Sequence, residues 1–73
     1  MERYFLSRTS AIALLVDARQ ALAADLHDKP PHETQHDEQT LHDVERLLLN
    51  VRVGRTREFD LTFPQRIHVI VSD

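Results

Sequence analysis

The sequence has no cysteine, a single glycine at Gly54 and no methionine beyond Met1. Without cysteine there is no disulfide framework, no thiolate metal site and no thiol nucleophile. One glycine excludes a glycine-rich phosphate loop and a G-x-S-x-G nucleophile elbow. Long apolar runs are missing as well. The longest stretch free of charge is Thr9 to Val16, far short of the roughly 20 residues that cross a bilayer. The first residues mix Glu2, Arg3 and Arg8 with apolar side chains and lack a signal-peptide layout, which predicts a cytoplasmic protein with no membrane partner. Lysine is scarce: eight of the nine basic residues are arginine, a bias compatible with a GC-rich genome.

The 73 residues, 1–73, make a single small domain. A chain of this length buries only about 60% of the surface its unfolded form exposes, so its core is marginal. Charge is unevenly spread along it. Asp25 to Glu45 holds seven acids against Lys29 alone, whereas Arg46 to Arg66 holds five arginines against Glu58 and Asp60. Such polarity suits solvated faces, and it also suits a partner surface, because charge asymmetry steers and orients docking.

Two helices are legible. Ser7, Thr9 and Ser10 are each able to cap the first. Ala11, Leu15, Ala18, Leu22 and Leu26 then recur at helical spacing, predicting a helix over 10–27 that ends before Pro30-Pro31. His27 falls near its C-terminus, where a cation suits the helix dipole. Leu41, Val44, Leu48 and Val51 mark a second helix over 34–50, with either Thr34 as its cap or Pro31 as its first residue. Helices joined by a short connector pack antiparallel. The connector, 28–33, offers little to bury and is predicted to be mobile.

Beyond Gly54 the period changes from helical to alternating. Phe59, Leu61 and Phe63 alternate with polar residues, as do Ile67, Val69 and Val71, predicting a β-hairpin over 57–63 and 67–72. The fold class is therefore α+β, two antiparallel helices followed by a C-terminal hairpin. A three-residue loop pairing Phe63 with Ile67, Leu61 with Val69 and Phe59 with Val71 keeps the apolar residues on one face; a one-residue slip splits them. Arg3 to Leu6 and Val51 to Val53 are candidates for a further short strand.

Residues 32–36 read H-E-T-Q-H, matching the H-E-x-x-H of zinc proteases, and His42 falls where the longer metzincin pattern places a third ligand. The match is shallow. Gln39 stands where that pattern needs a turn-making glycine. On a continuing helix His42 lies roughly 15 Å along the axis from His32, too far to share an ion whose ligand bonds are about 2 Å. Pro30-Pro31 also sits where the active-site helix should extend backwards. No catalytic residue, metal, cofactor or small-molecule ligand is predicted, and the segment reads as a solvated connector and helix start. His68 reads as a residue on the polar edge of a strand.

Arg52, Arg55 and Arg57, followed by Phe59 and Phe63, raise the question of nucleic acid, since arginines beside aromatics bind single strands. Both phenylalanines alternate as core residues do, and the net charge of −3 disfavours direct DNA binding. A small acidic domain of this kind is best suited to binding another protein. From "MERYFLSRTSAIALLVDARQAL" to "FPQRIHVIVSD" the chain resembles, in size and character, the small transcription regulators of lytic Xanthomonas phages. The resemblance implies a non-enzymatic inhibitor in the host bacterial cytoplasm. It would contact the large subunits of bacterial RNA polymerase, block sigma-dependent initiation and promote antitermination. It supplies no motif from which to transfer residues. The candidates from residue chemistry are Arg3, Tyr4, Phe5 and Arg8 as a terminal docking segment, and Arg52, Arg55 and Arg57 as a second surface, because aromatic and arginine anchors dominate interfaces. The acidic connector is a third surface. Other protein antagonists, such as antitoxins or inhibitors of host defence, and RNA-binding accessory proteins remain as alternatives.

Overall fold

The computed structural model describes residues 2–30, 32, 34–62 and 65–72. Five elements follow in the order β1 (Glu2–Leu6), α1 (Arg8–His27), α2 (Gln35–Arg52), β2 (Glu58–Leu61) and β3 (Ile67–Val71). The fold is α+β: a helical hairpin against a mixed three-stranded sheet of order β1-β3-β2. β2 pairs antiparallel with β3, and β1 pairs parallel with its other edge. The C-terminal hairpin thus does not stand alone, because the N-terminal segment completes the sheet. A lone hairpin is marginal in water, and the third strand supplies the missing pairing.

Helix α1 starts two residues earlier than its periodicity suggests. Ser7 takes the cap, its hydroxyl accepting from the Ser10 amide at 3.2 Å. Thr34 occupies the cap position of α2, but its hydroxyl points to the Glu38 carboxylate at 3.2 Å rather than to a backbone amide. Pro31, the competing start, lies outside the described residues, as does Glu33 of the connector. Across the connector Lys29 forms ion pairs with Asp25 of α1 and Asp37 of α2. Val51 to Val53 is not a strand. It ends α2 and enters a turn in which Gly54 adopts φ +80°. The Gly54 amide bonds the Val51 carbonyl at 3.2 Å and the Arg55 amide bonds the Asn50 carbonyl at 2.9 Å, a Schellman closure that needs a left-handed residue.

The core joins Ala11, Leu15, Ala18 and Leu22 of α1, Val44, Leu48 and Val51 of α2, and Phe59, Leu61, Ile67, Val69 and Val71 of the sheet. Each fully buried aliphatic side chain contributes about 1.5–3 kcal/mol. The register differs from the expected one. Phe59 faces Val69 and Leu61 faces Ile67, a shift of two residues that keeps the apolar set on the core face while lengthening the loop. Phe63, which the shorter loop would pair with Ile67, lies outside the described residues. Helix α1, at 1.5 Å per residue, is about 30 Å long and the strands are about half that, so the helical hairpin overhangs the sheet.

Candidate protein-docking surface

The sheet's buried residues all lie on the face turned to the helices. The other face is exposed or half-buried, and the register arranges it in two rows across the three strands. One row is Asp60, His68 and Arg3; the next is Glu58, Ile70 and Phe5. Phe5 is 70% exposed, the most exposed large apolar side chain among the described residues.

His68 stands at the centre of this face. Its Nδ1 lies 2.5 Å from Asp60 Oδ1 and its Nε2 lies 2.8 Å from Glu58 Oε2. The Val71 amide donates to the Arg57 carbonyl at 2.7 Å, so the alternation of the antiparallel ladder makes Asp60–His68 and Glu58–Ile70 non-hydrogen-bonded pairs, whose side chains approach more closely. A neutral imidazole donates from only one nitrogen; two carboxylate contacts call for the doubly protonated ring. The hydrogen bonds to Asp60 and then Glu58 accordingly raise the His68 pKa above its ordinary 6.5.

The residues singled out from the sequence divide into two groups. Arg3, Tyr4 and Phe5 lie in β1 at the edge of the sheet, with Arg3 and Phe5 on the open face and Tyr4 on the helix side. The Tyr4 hydroxyl donates to the Glu2 carboxylate, which raises the tyrosine pKa. Arg8 opens α1, Arg52 closes α2, and Arg55 and Arg57 occupy the turn before β2. The topology brings these four to one end of the molecule, where Arg8 Nη2 sits 3.8 Å from the position a Cβ on Gly54 would take. At the far end of α1, Asp25 and Asp37 pair with Lys29, with Asp28 at the end of α1 and Glu38 in the first turn of α2. The run of charge in the sequence thus becomes a basic end and an acidic tip.

Three features lay outside the sequence reading. The His68 triad is one: in the expected register His68 would face Thr62 and Asp60 would face Ile70, so only the two-residue shift assembles it. The exposed pair Leu49 and Val53, each 60% exposed and one turn apart, is the second. The run Leu47-Leu48-Leu49 is its signal, because three consecutive leucines cannot all face inward from a helix. Parallel pairing of β1 is the third.

The H-E-T-Q-H segment takes a different shape from a zinc-binding helix. His32 lies before α2 and His36 inside it, so the two do not share a helix face. With Gln35 and Gln39 they line an open depression. Among the described residues no three His, Cys, Asp or Glu side chains converge as a metal-binding group, and no helix is long and apolar enough to cross a membrane.

A family model described as "Uncharacterized protein BTH_I2711-like" matches residues 2–73, and the chain belongs to that family. No curated protein and no solved structure matches the chain.

Proposed function

We propose that this member of the BTH_I2711-like family is a non-enzymatic, protein-binding regulator that docks through its open sheet face and the adjoining arginine-rich end. The observation that carries the reading is Phe5, 70% exposed beside Arg3 and half-buried Ile70 on a face over which, among the described residues, no helix packs. An aromatic and an arginine side by side on a rigid strand make the sort of anchor that dominates protein interfaces. The carboxylates of Glu58 and Asp60 on the same face count against RNA, whose phosphates they would repel.

The partner class rests on the resemblance to phage transcription regulators, while the geometry supplies the surface. On this reading the partner is bacterial RNA polymerase, engaged at its large subunits so that sigma-dependent initiation is blocked. Native-gel binding to core enzyme and holoenzyme, paired with transcription from a simple promoter, tests it. Binding and inhibition are expected, both weakened by Phe5→Ala and Arg3→Ala and unchanged by His32→Ala. The antitermination role is read from transcript extension past an intrinsic terminator. Absence of binding to either enzyme form refutes the polymerase assignment. Affinity purification from a bacterial lysate then distinguishes another protein partner from none.

A further inference from the structure

We propose that β1 pairs antiparallel with the β1 of a second copy of this chain, about a two-fold axis at Tyr4, to make a continuous six-stranded sheet. The proposal uses the backbone edge of the strand, whereas the docking reading uses the open face; the Arg3 and Phe5 side chains border both, so pairing and docking meet at those two residues.

The geometry points to the second copy in three steps. First, the edge is free and its hydrogen-bonding phase is fixed. The Ser72 amide donates to the Leu6 carbonyl at 2.8 Å. In a parallel ladder the N–H and C=O of one residue point the same way and successive residues alternate. Leu6, Tyr4 and Glu2 therefore direct their peptide groups to β3, and Arg3 and Phe5 direct theirs outward. Among the described residues no strand pairs with that outer edge. Such an edge is a template for another strand.

Second, β1 complements itself in one register only. An antiparallel partner must meet outward groups with outward groups, so Arg3 and Phe5 can oppose only odd-numbered residues of the other copy, which share their phase. Centring the axis on Arg3 sets two guanidinium groups opposite one another, which is destabilising. Centring it on Phe5 sets Arg3 opposite Ser7, already committed as the cap of α1. Centring it on Tyr4 sets each Arg3 opposite the other copy's Phe5, so that four outward groups on each copy are satisfied at once. The facing guanidinium and phenyl ring attract as a cation–π pair. The two Phe5 rings then lie diagonally, about 7–8 Å apart and within aromatic reach.

Third, the helix side of the same edge offers a seat. Tyr4, Leu6, Leu14, Gln65 and Ile67 line an apolar groove beside β1. Tyr4, 40% exposed, borders it. With the axis at Tyr4, the second copy's Tyr4 ring enters this groove and the first copy's ring enters the other.

The absence of native cysteine makes the register readable by crosslinking. Tyr4 faces Tyr4 as a non-hydrogen-bonded pair with Cα atoms about 4.5 Å apart, inside the window for a disulfide. The Phe5 Cα atoms fall beyond about 7 Å, outside it. Under mild oxidation the Tyr4→Cys protein is expected to become a covalent dimer, and the Phe5→Cys protein to crosslink slowly or not at all. In the wild-type protein, sedimentation velocity is expected to show a mass rising to that of two chains with concentration. The Arg3 and Phe5 amides, unused within one copy, should gain hydrogen-exchange protection over the same range. Arg3→Pro removes an outward amide only, so a folded monomer with a retained amide spectrum is expected. A monomer at every concentration overturns the proposal. So does crosslinking at Phe5→Cys in preference to Tyr4→Cys, which requires another register or a different partner.

Discussion

His68 shows how one side chain can tie stability to pH. Its folded pKa is raised because two carboxylates accept its ring protons. A group whose folded pKa exceeds its unfolded one stabilises fully below the unfolded value, and that contribution fades as pH rises through the folded value. Stability is therefore expected to fall as pH rises above the ordinary histidine value of 6.5, on this account alone. Urea unfolding midpoints across that range measure it, and His68→Gln should flatten the slope. Because Glu58 and Asp60 are more than half exposed, added salt should flatten it too. An unchanged slope in the variant would place the pH response elsewhere. Gly54 is the second informative residue. A Cβ there meets only the tip of Arg8 at 3.8 Å, which is ordinary contact. The cost of Gly54→Ala is thus conformational, about 1–2 kcal/mol for holding an L-residue left-handed. A domain of this size has roughly 4–11 kcal/mol of stability, so thermal unfolding should register the loss with the fold retained.

At the scale of elements, sequence and structure agree where periodicity is long. Ala11, Leu15, Ala18 and Leu22 repeat over several turns, so α1 was legible with only its start misplaced. The boundary moved because three hydroxyl residues compete for the cap, and only tertiary placement after β1 decides among them. The hairpin's faces were legible, because alternation fixes which side is apolar. Its register was not, since registers two residues apart bury the same face. The site inherits that limit: Arg3, Phe5 and the arginines were named from chemistry, while the His68 triad depends on register. β1 pairs with the most distant part of the chain, and no local pattern reports a parallel partner. The connector carries its own prediction. Lys29 holds the Asp37 carboxyl below its ordinary value of 3.8, chiefly through their hydrogen bond. That contribution is present above pH 3.8 and is lost as pH falls through the lowered value. Lys29→Met should move the Asp37 midpoint upward in a side-chain NMR titration. A midpoint that stays put would show that the clamp is not formed in solution.

For the molecule as a whole, the decisive property is the separation of charge. Arg8 and His27 bound α1, about 29 Å apart along its axis at 1.5 Å per residue. Arg8, Arg52, Arg55 and Arg57 gather near the first end, and Asp25, Asp28, Asp37 and Glu38 near the second. At physiological ionic strength charges are screened beyond about 8 Å, so the two ends act on a partner independently rather than cancelling. A partner of either sign would be captured at one end and turned away from the other, which orients the encounter before any apolar contact forms. If the basic end leads, Arg8→Ala, Arg55→Ala and Arg57→Ala should slow association severalfold with little change in dissociation, and their effect should shrink as salt is added. Changes at Phe5 should act the other way, speeding dissociation and responding little to salt, because an apolar anchor works only after docking. Surface-based binding kinetics against purified polymerase, at low and physiological salt, separate the two. Slower association on removing Asp25 and Asp28 instead would make the acidic tip the leading end and move the docking surface away from the sheet.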